Sequence, residues 1–143
     1  MNFPHHYSVS ARCTPTDPIV LAADGLNDLA SAPPRQFGGP GDLWSPEDLL
    51  VAAVADCFVL SFRAIAAASK FEFVRLECRV TGTLDRVERA MLFTEFNIEA
   101  ELAVAPGVDT GRAERLLEKA EQSCLITNSL KSTVHLNARV VAA

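Results

Sequence analysis

The chain has 143 residues, close to half of them apolar at 49%, and a formal net charge of −5. That length fits one domain able to bury about two-thirds of its unfolded surface, so a single core spanning residues 1–143 is expected. The acidic balance argues against a nucleic-acid or anionic-membrane partner, since both need a basic patch.

The N-terminus Met1-Asn2-Phe3-Pro4-His5-His6-Tyr7 lacks the charged and apolar regions of a secretory signal. No apolar run reaches the roughly 18 residues of a membrane span, and a cytoplasmic protein is expected. In a reducing cytosol the four cysteines are not expected to form a structural framework, so any disulfide should be transient and catalytic. His5 and His6, with only His135 elsewhere, make a poor metal site, and neither metal nor cofactor is expected.

In chain order, 7–11 and 19–22 alternate as edge strands, with Pro15 and Pro18 in the turn between them. Residues 31–41 form a loop, because Pro33 and Pro34 fix φ while Gly38, Gly39 and Gly41 open positive φ. Ser45 as N-cap, Pro46 at N1 and acidic Glu47 and Asp48 in the first turn then start the clearest helix. From Leu49 to about Lys70 it is apolar almost all round, which predicts burial on most faces. Strands follow over 71–83 and 93–105, joined by a polar hairpin loop at 85–90. In the second strand Phe96, Ile98, Ala100, Leu102 and Val104 alternate with Asn97, Glu99 and Glu101, so one face goes to the core. Ala113, Leu116, Leu117 and Ala120 mark an amphipathic helix over 109–123 with Cys124 at its end. A short helix over 125–131 and a last strand over 133–140 complete an α+β fold, a buried helix covered by antiparallel sheet. Trp44, Phe58 and Phe62 are expected in the core or in the wall of an apolar pocket.

Cys57 in the capped helix and Cys124 near the C-terminus stand 67 residues apart. The layout suits peroxide chemistry by thiol and disulfide, although a buried cysteine is more often inert packing. Cys78 and Cys13 are read as structural or incidental.

The stretch Gly38-Gly39-Pro40-Gly41, then Ser45-Pro46-Glu47-Asp48-Leu49, then Ala55-Asp56-Cys57-Phe58 resembles known motifs of the OsmC/Ohr proteins. These are the osmotically inducible and organic hydroperoxide resistance peroxidases, with a Gly-rich loop, an Asn-Pro-Glu-Glu-Leu helix start and Ala-Ala-Cys-Phe. Ala120-Glu121-Gln122-Ser123-Cys124-Leu125-Ile126 and its continuation to Lys131 is similar to their second motif, Ala-x-x-x-Cys-Pro-Val-Ser-x-x-Leu-Lys. The resemblance runs from about residue 36 to the end. It implies an OsmC-like fold in an intertwined homodimer that reduces organic hydroperoxides. Cys57 would attack and become a sulfenic acid, Cys124 would capture it as a disulfide, and a dithiol reductant, commonly a lipoylated protein, would reopen it. The resemblance also implies an arginine held by a glutamate beside the thiolate. Glu47 occupies the glutamate position. Arg35 lies near the arginine of the OsmC branch, with a two-residue length difference, and is preferred to Arg12, the residue available to the Ohr-type N-terminal hairpin.

Ten residues of helix rise about 15 Å and turn roughly 1000°, which leaves Glu47 far from Cys57 along one helix. If both serve one site, Glu47 and its arginine come from a second subunit, as the resemblance implies. Asp56 stands where the family has a small residue, and its carboxylate would raise the thiol pKa if it pointed into the site; it is expected about 100° away around the helix. Leu125-Ile126 replaces the family's Pro-Val. Two competing readings are an OsmC-like domain binding an apolar ligand at its dimer interface without turnover, and a hotdog-type thioesterase, for which no well-placed His and acid pair is present.

Overall fold

A computed structural model describes residues 1–143, which fall into two compact units, Met1–Leu50 and Val51–Ala143. In the first unit β1 (Ser10–Arg12), β2 (Ile19–Ala22) and β3 (Leu29–Ser31) pair antiparallel in that order. At three residues β3 is too short to carry a readable period. Ser31 bridges to Trp44, and the Ala32 N–H donates to the Trp44 carbonyl at 3.0 Å, closing the proline and glycine loop. Trp44 itself is 49% exposed rather than in the core.

The helix α1 (Pro46–Ala68) begins where its caps predict. Ser45 Oγ accepts the Asp48 N–H at 3.0 Å and the Asp48 carboxylate accepts the Ser45 N–H at 3.1 Å, a reciprocal capping box. It ends with Lys70 at φ 53 and the Phe71 N–H on the Ala66 carbonyl at 2.8 Å, a left-handed stop that satisfies a terminal carbonyl. Val54, Phe58, Phe62 and Ala66, spaced four apart, form its buried stripe. The opposite stripe is open, with Leu60 46% exposed. By length and composition α1 is apolar enough to cross a membrane, with a mean hydropathy of 2.0 over 18 residues. This corrects the expectation that no segment qualifies, because Asp56 and Arg63 break the run without lowering its average far enough.

In the second unit β4 (Arg75–Val87) and β5 (Ala90–Val104) form an antiparallel hairpin, and β6 (Thr133–Ala142) lies parallel to β5. The expected antiparallel cover is therefore a mixed sheet. Its cause is the connection: α2 (Thr110–Gln122) and α3 (Leu125–Asn128) lie between β5 and β6, and a crossover that long makes parallel neighbours possible. The polar segment expected as a loop at 85–90 is drawn into the ladder up to the Val87–Ala90 pair, leaving a two-residue turn with Glu88 at φ 58. Strand β4 starts at Arg75 rather than 71, since Phe73 meets Phe62 edge-on at 5.2 Å instead of pairing. Phe96, Ile98, Ala100, Leu102 and Val104 are all buried, as their alternation predicts. Helix α1 meets the sheet at Gly82, where a Cβ would come within 3.0 Å of the Val51 side chain.

Candidate active site

The capped start of α1 fixes its register, and the Val54 and Phe58 anchors turn Cys57 to a half-open face. One turn on, Ser61 Oγ lies 3.9 Å from Cys57 Sγ. Helix α2 begins with the Asp109 carboxylate accepting the Arg112 N–H at 3.1 Å and is held by buried Ala113, Leu117 and Ala120. Cys124, fully buried and extended at φ −65 and ψ 110, becomes the N-cap of α3. Its carbonyl accepts the Asn128 N–H at 3.0 Å and the Thr127 hydroxyl at 3.2 Å. The first amides of a helix have no partner within it, and those of Leu125 and Ile126 lower the neighbouring Cys57 thiol.

These contacts divide the two thiols. Burial pushes the Cys57 thiol up, but the Ile126 N–H, the Cys124 thiol, the Ser61 hydroxyl and the Leu125 N–H together outweigh it, and the thiol lies below its ordinary 9.0. Cys124 moves the other way: burial raises it, and the neighbouring Cys57 adds to the rise against the opposing Thr127 backbone and hydroxyl. Of the pair, Cys57 is therefore the thiol that loses its proton first, and Cys124 the one that keeps it. Both are free thiols. A thiolate is the nucleophilic form of cysteine, and a second thiol in hydrogen-bond contact lets the pair close as a disulfide.

Cys57 opens on a cavity of about 470 Å³ walled by Ala53, Leu60 and Ala64 of α1 and by Leu125 and Ile126. Asp56, the next residue on the helix and about 100° around it from Cys57, lines the same cavity. It is nevertheless not among the groups that shift the Cys57 thiol. Sequence reasoning misses Ser61, although the four-residue helical spacing from Cys57 could have marked it. It also misses the Leu125 and Ile126 amides, which have no residue signature because nearly every residue carries one.

Glu47 and Arg35 belong to the first unit and Cys57 and Cys124 to the second. Glu47 Oε1 is buried and accepts no hydrogen bond. Arg35 is exposed on the single 3-10 turn Arg35–Phe37, its side chain over Gly41, where a Cβ would fall 1.9 Å from Nε. No ion pair joins it to Glu47, whereas Arg12 pairs with Asp28 at 3.7 Å. Cys78 faces α1 from β4 with Sγ 3.8 Å from the Ala55 carbonyl, and burial raises it. Cys13 is exposed. No three His, Cys, Asp or Glu side chains gather as a metal cluster.

A family model for OsmC-like proteins matches residues 39–139, a span that holds both cysteines. An organic hydroperoxide resistance protein of Xanthomonas axonopodis pv. citri is 30% identical over 116 residues, covering 80% of this chain and 79% of its own. A peroxiredoxin OsmC of Escherichia coli is 27% identical over 93 residues, or 65% and 64% of the two chains. Among solved structures, an OsmC-like protein of unknown function from Vibrio cholerae superposes with a TM-score of 0.86 at 16% identity, over 95% of this chain and 100% of that one. An organic hydroperoxide resistance protein OsmC from Legionella pneumophila superposes at 0.77 and 24% identity, over 98% and 99%. Both structures share the α+β fold of a central helix against sheet, and with the family model spanning most of the sequence the chain belongs to the OsmC-like proteins, the OsmC/Ohr family.

Proposed function

We propose that this chain is a thiol peroxidase that reduces organic hydroperoxides. The observation that carries the reading is the divided thiol pair, a Cys57 held low and a Cys124 held high, beside a mostly apolar cavity. The Cys57 thiolate attacks the terminal peroxide oxygen. An S–O bond forms as the O–O bond breaks, and the alkoxide takes a proton from water and leaves as the alcohol. Cys124, having given its proton to water, attacks the sulfur of the Cys57 sulfenic acid, and hydroxide leaves to become water as the disulfide closes. An external dithiol then reduces the disulfide and is itself oxidised; a lipoylated protein is of the right class. The name of the Xanthomonas relative supports the substrate class, and that of the Escherichia relative supports peroxide chemistry more broadly.

The same proposal makes the working form a homodimer of single OsmC-like domains. Only 22% of the most apolar stretch of α1 is buried within one chain, and exposed apolar surface of that extent is what obligate interfaces cover. Glu47, with its unsatisfied oxygen, is assigned to hold the Arg35 guanidinium near Cys57 of the partner subunit. Refolded mixtures of Cys57→Ser and Glu47→Ala chains should then regain activity, since each heterodimer has one intact site.

A second reading, an apolar ligand held without turnover, is favoured by the neutrality of every group that shifts Cys57. The two separate on peroxide loss. Reduced protein should consume cumene hydroperoxide, and one equivalent should leave a Cys57 to Cys124 disulfide detectable by mass spectrometry. Turnover unchanged in Cys57→Ser, or none in the wild type with a dithiol supplied, removes the peroxidase reading.

A further inference from the structure

We propose that Asp56 is a charge filter on the Cys57 cavity, which admits neutral organic hydroperoxides and turns away those bearing a carboxylate near the reacting group. The inference deepens the peroxidase reading and rests on it for its substrate class. Its basis is one cavity with one ionisable carboxylate in its wall. Ala53, Leu60, Ala64, Leu125 and Ile126 offer a substrate only apolar contact, Ser61 and Cys57 sit at the reacting end, and Asp56 completes the lining.

Within one chain the Asp56 carboxylate is unpaired, and where the dimer brings the Arg35 guanidinium near Cys57, comparison with Asp56→Asn reads the carboxylate's share with Arg35 held constant. The Asp56 side chain makes no ion pair, the nearest lysine or arginine on its own helix being Arg63, seven residues on. It is exposed to solvent, and it is one of the acidic residues behind the net charge of −5. Nor does it set the acidity of Cys57, whose shift comes from burial, two amides, a thiol and a hydroxyl. A carboxylate that does not tune the nucleophile, yet shares its cavity, acts on whatever enters. A substrate anion must approach within the width of a cavity of about 470 Å³, well inside the screening length of dilute salt. Neutral molecules feel no repulsion there, and for an anion it is strong enough to change a rate about three- to tenfold at low ionic strength. The protein's net charge of −5 adds to it in the same direction.

Two matched reagent pairs test the filter. Iodoacetamide and iodoacetate differ in charge at nearly equal size, and their rates of alkylating Cys57, read by peptide mass spectrometry, require no turnover. Cumene hydroperoxide and its para-carboxylate make the same comparison on substrate. The neutral-to-anionic rate ratio in the wild type should exceed that of Asp56→Asn by about three- to tenfold at low salt, should shrink as salt is added, and should invert toward anions in Asp56→Lys. An alkylation ratio unchanged in Asp56→Asn and Asp56→Lys overturns the proposal. A ratio that falls in Asp56→Asn, while neither hydroperoxide is consumed by any variant, upholds the filter and removes the peroxidase reading instead.

Discussion

Cys57 and Cys78 are both partly buried thiols against α1, and burial pushes both of them up. The groups that face them differ. Cys78 meets an acceptor, the Ala55 carbonyl at 3.8 Å from Sγ, which bonds only a protonated thiol. Cys57 meets donors, the Ile126 and Leu125 amides with the Cys124 thiol and the Ser61 hydroxyl, which bond the thiolate. Hydrogen-bond polarity, rather than depth, separates the two sulfurs, holding the Cys57 thiol below its ordinary value and leaving the Cys78 thiol above it.

The largest expected consequence is a difference in reactivity. At pH 7 Cys57 should be alkylated by iodoacetamide at least about tenfold faster than Cys78, because only the thiolate reacts; site-resolved mass spectrometry over time measures both. Equal rates would break the comparison at its root. Stability carries the same contrast. The fold favours the protonated form of Cys78, so its contribution is whole below the ordinary 9.0 and is lost as pH rises through the raised value. The fold favours the thiolate of Cys57, so its contribution is present above that ordinary value and is lost as pH falls through the lowered one. In a Cys57→Ser background, adding Cys78→Val should therefore reduce the loss of denaturation midpoint above pH 9, which titration of urea melts would read.

A smaller effect isolates one donor. Ser61→Ala removes a hydroxyl 3.9 Å from the sulfur and leaves the amides in place. Alkylation of Cys57 at pH 7 should slow about two- to fivefold, the worth of one modest hydrogen bond. Its pH profile should move upward and Ser61→Thr should restore it. An unmoved profile would mean the hydroxyl packs against Cys57 without holding its charge.

How much of this is legible in the sequence depends on how far each feature repeats along it. The Ser45 cap, the length of α1 and the inward set of β5 rest on long periods or fixed spacings, and they fold as read. The pairing of β6 does not, since the same alternation over 133–140 serves a parallel or an antiparallel neighbour and only the crossover decides. At the site, the motifs around Cys57 and Cys124 mark both sulfurs. The azimuth of Asp56 was also legible, yet a cavity reaching from Ala53 to Ala64 is wide enough to take it in. The amides that hold the thiolate were not legible at all, because they depend on where α3 starts and not on which residues start it.

That last point yields the smallest and most discriminating test. Leu125 stands where the family's motif has proline, and Cys124 before it is extended at φ −65 and ψ 110, the conformation a residue preceding proline adopts. Proline also suits the first position of a helix, where its missing N–H has no helical partner to lose. Leu125→Pro should therefore fold with an unchanged melting curve while deleting a single donor to Cys57, the weakest of the four that lower it. The alkylation profile of Cys57 should move upward by less than in Ser61→Ala, with Cys78 unaffected as the internal reference. A larger shift than Ser61→Ala gives, in a protein of unchanged stability, would transfer the main hold on the thiolate from Ile126 to Leu125 and reorder the donors on which the contrast with Cys78 rests.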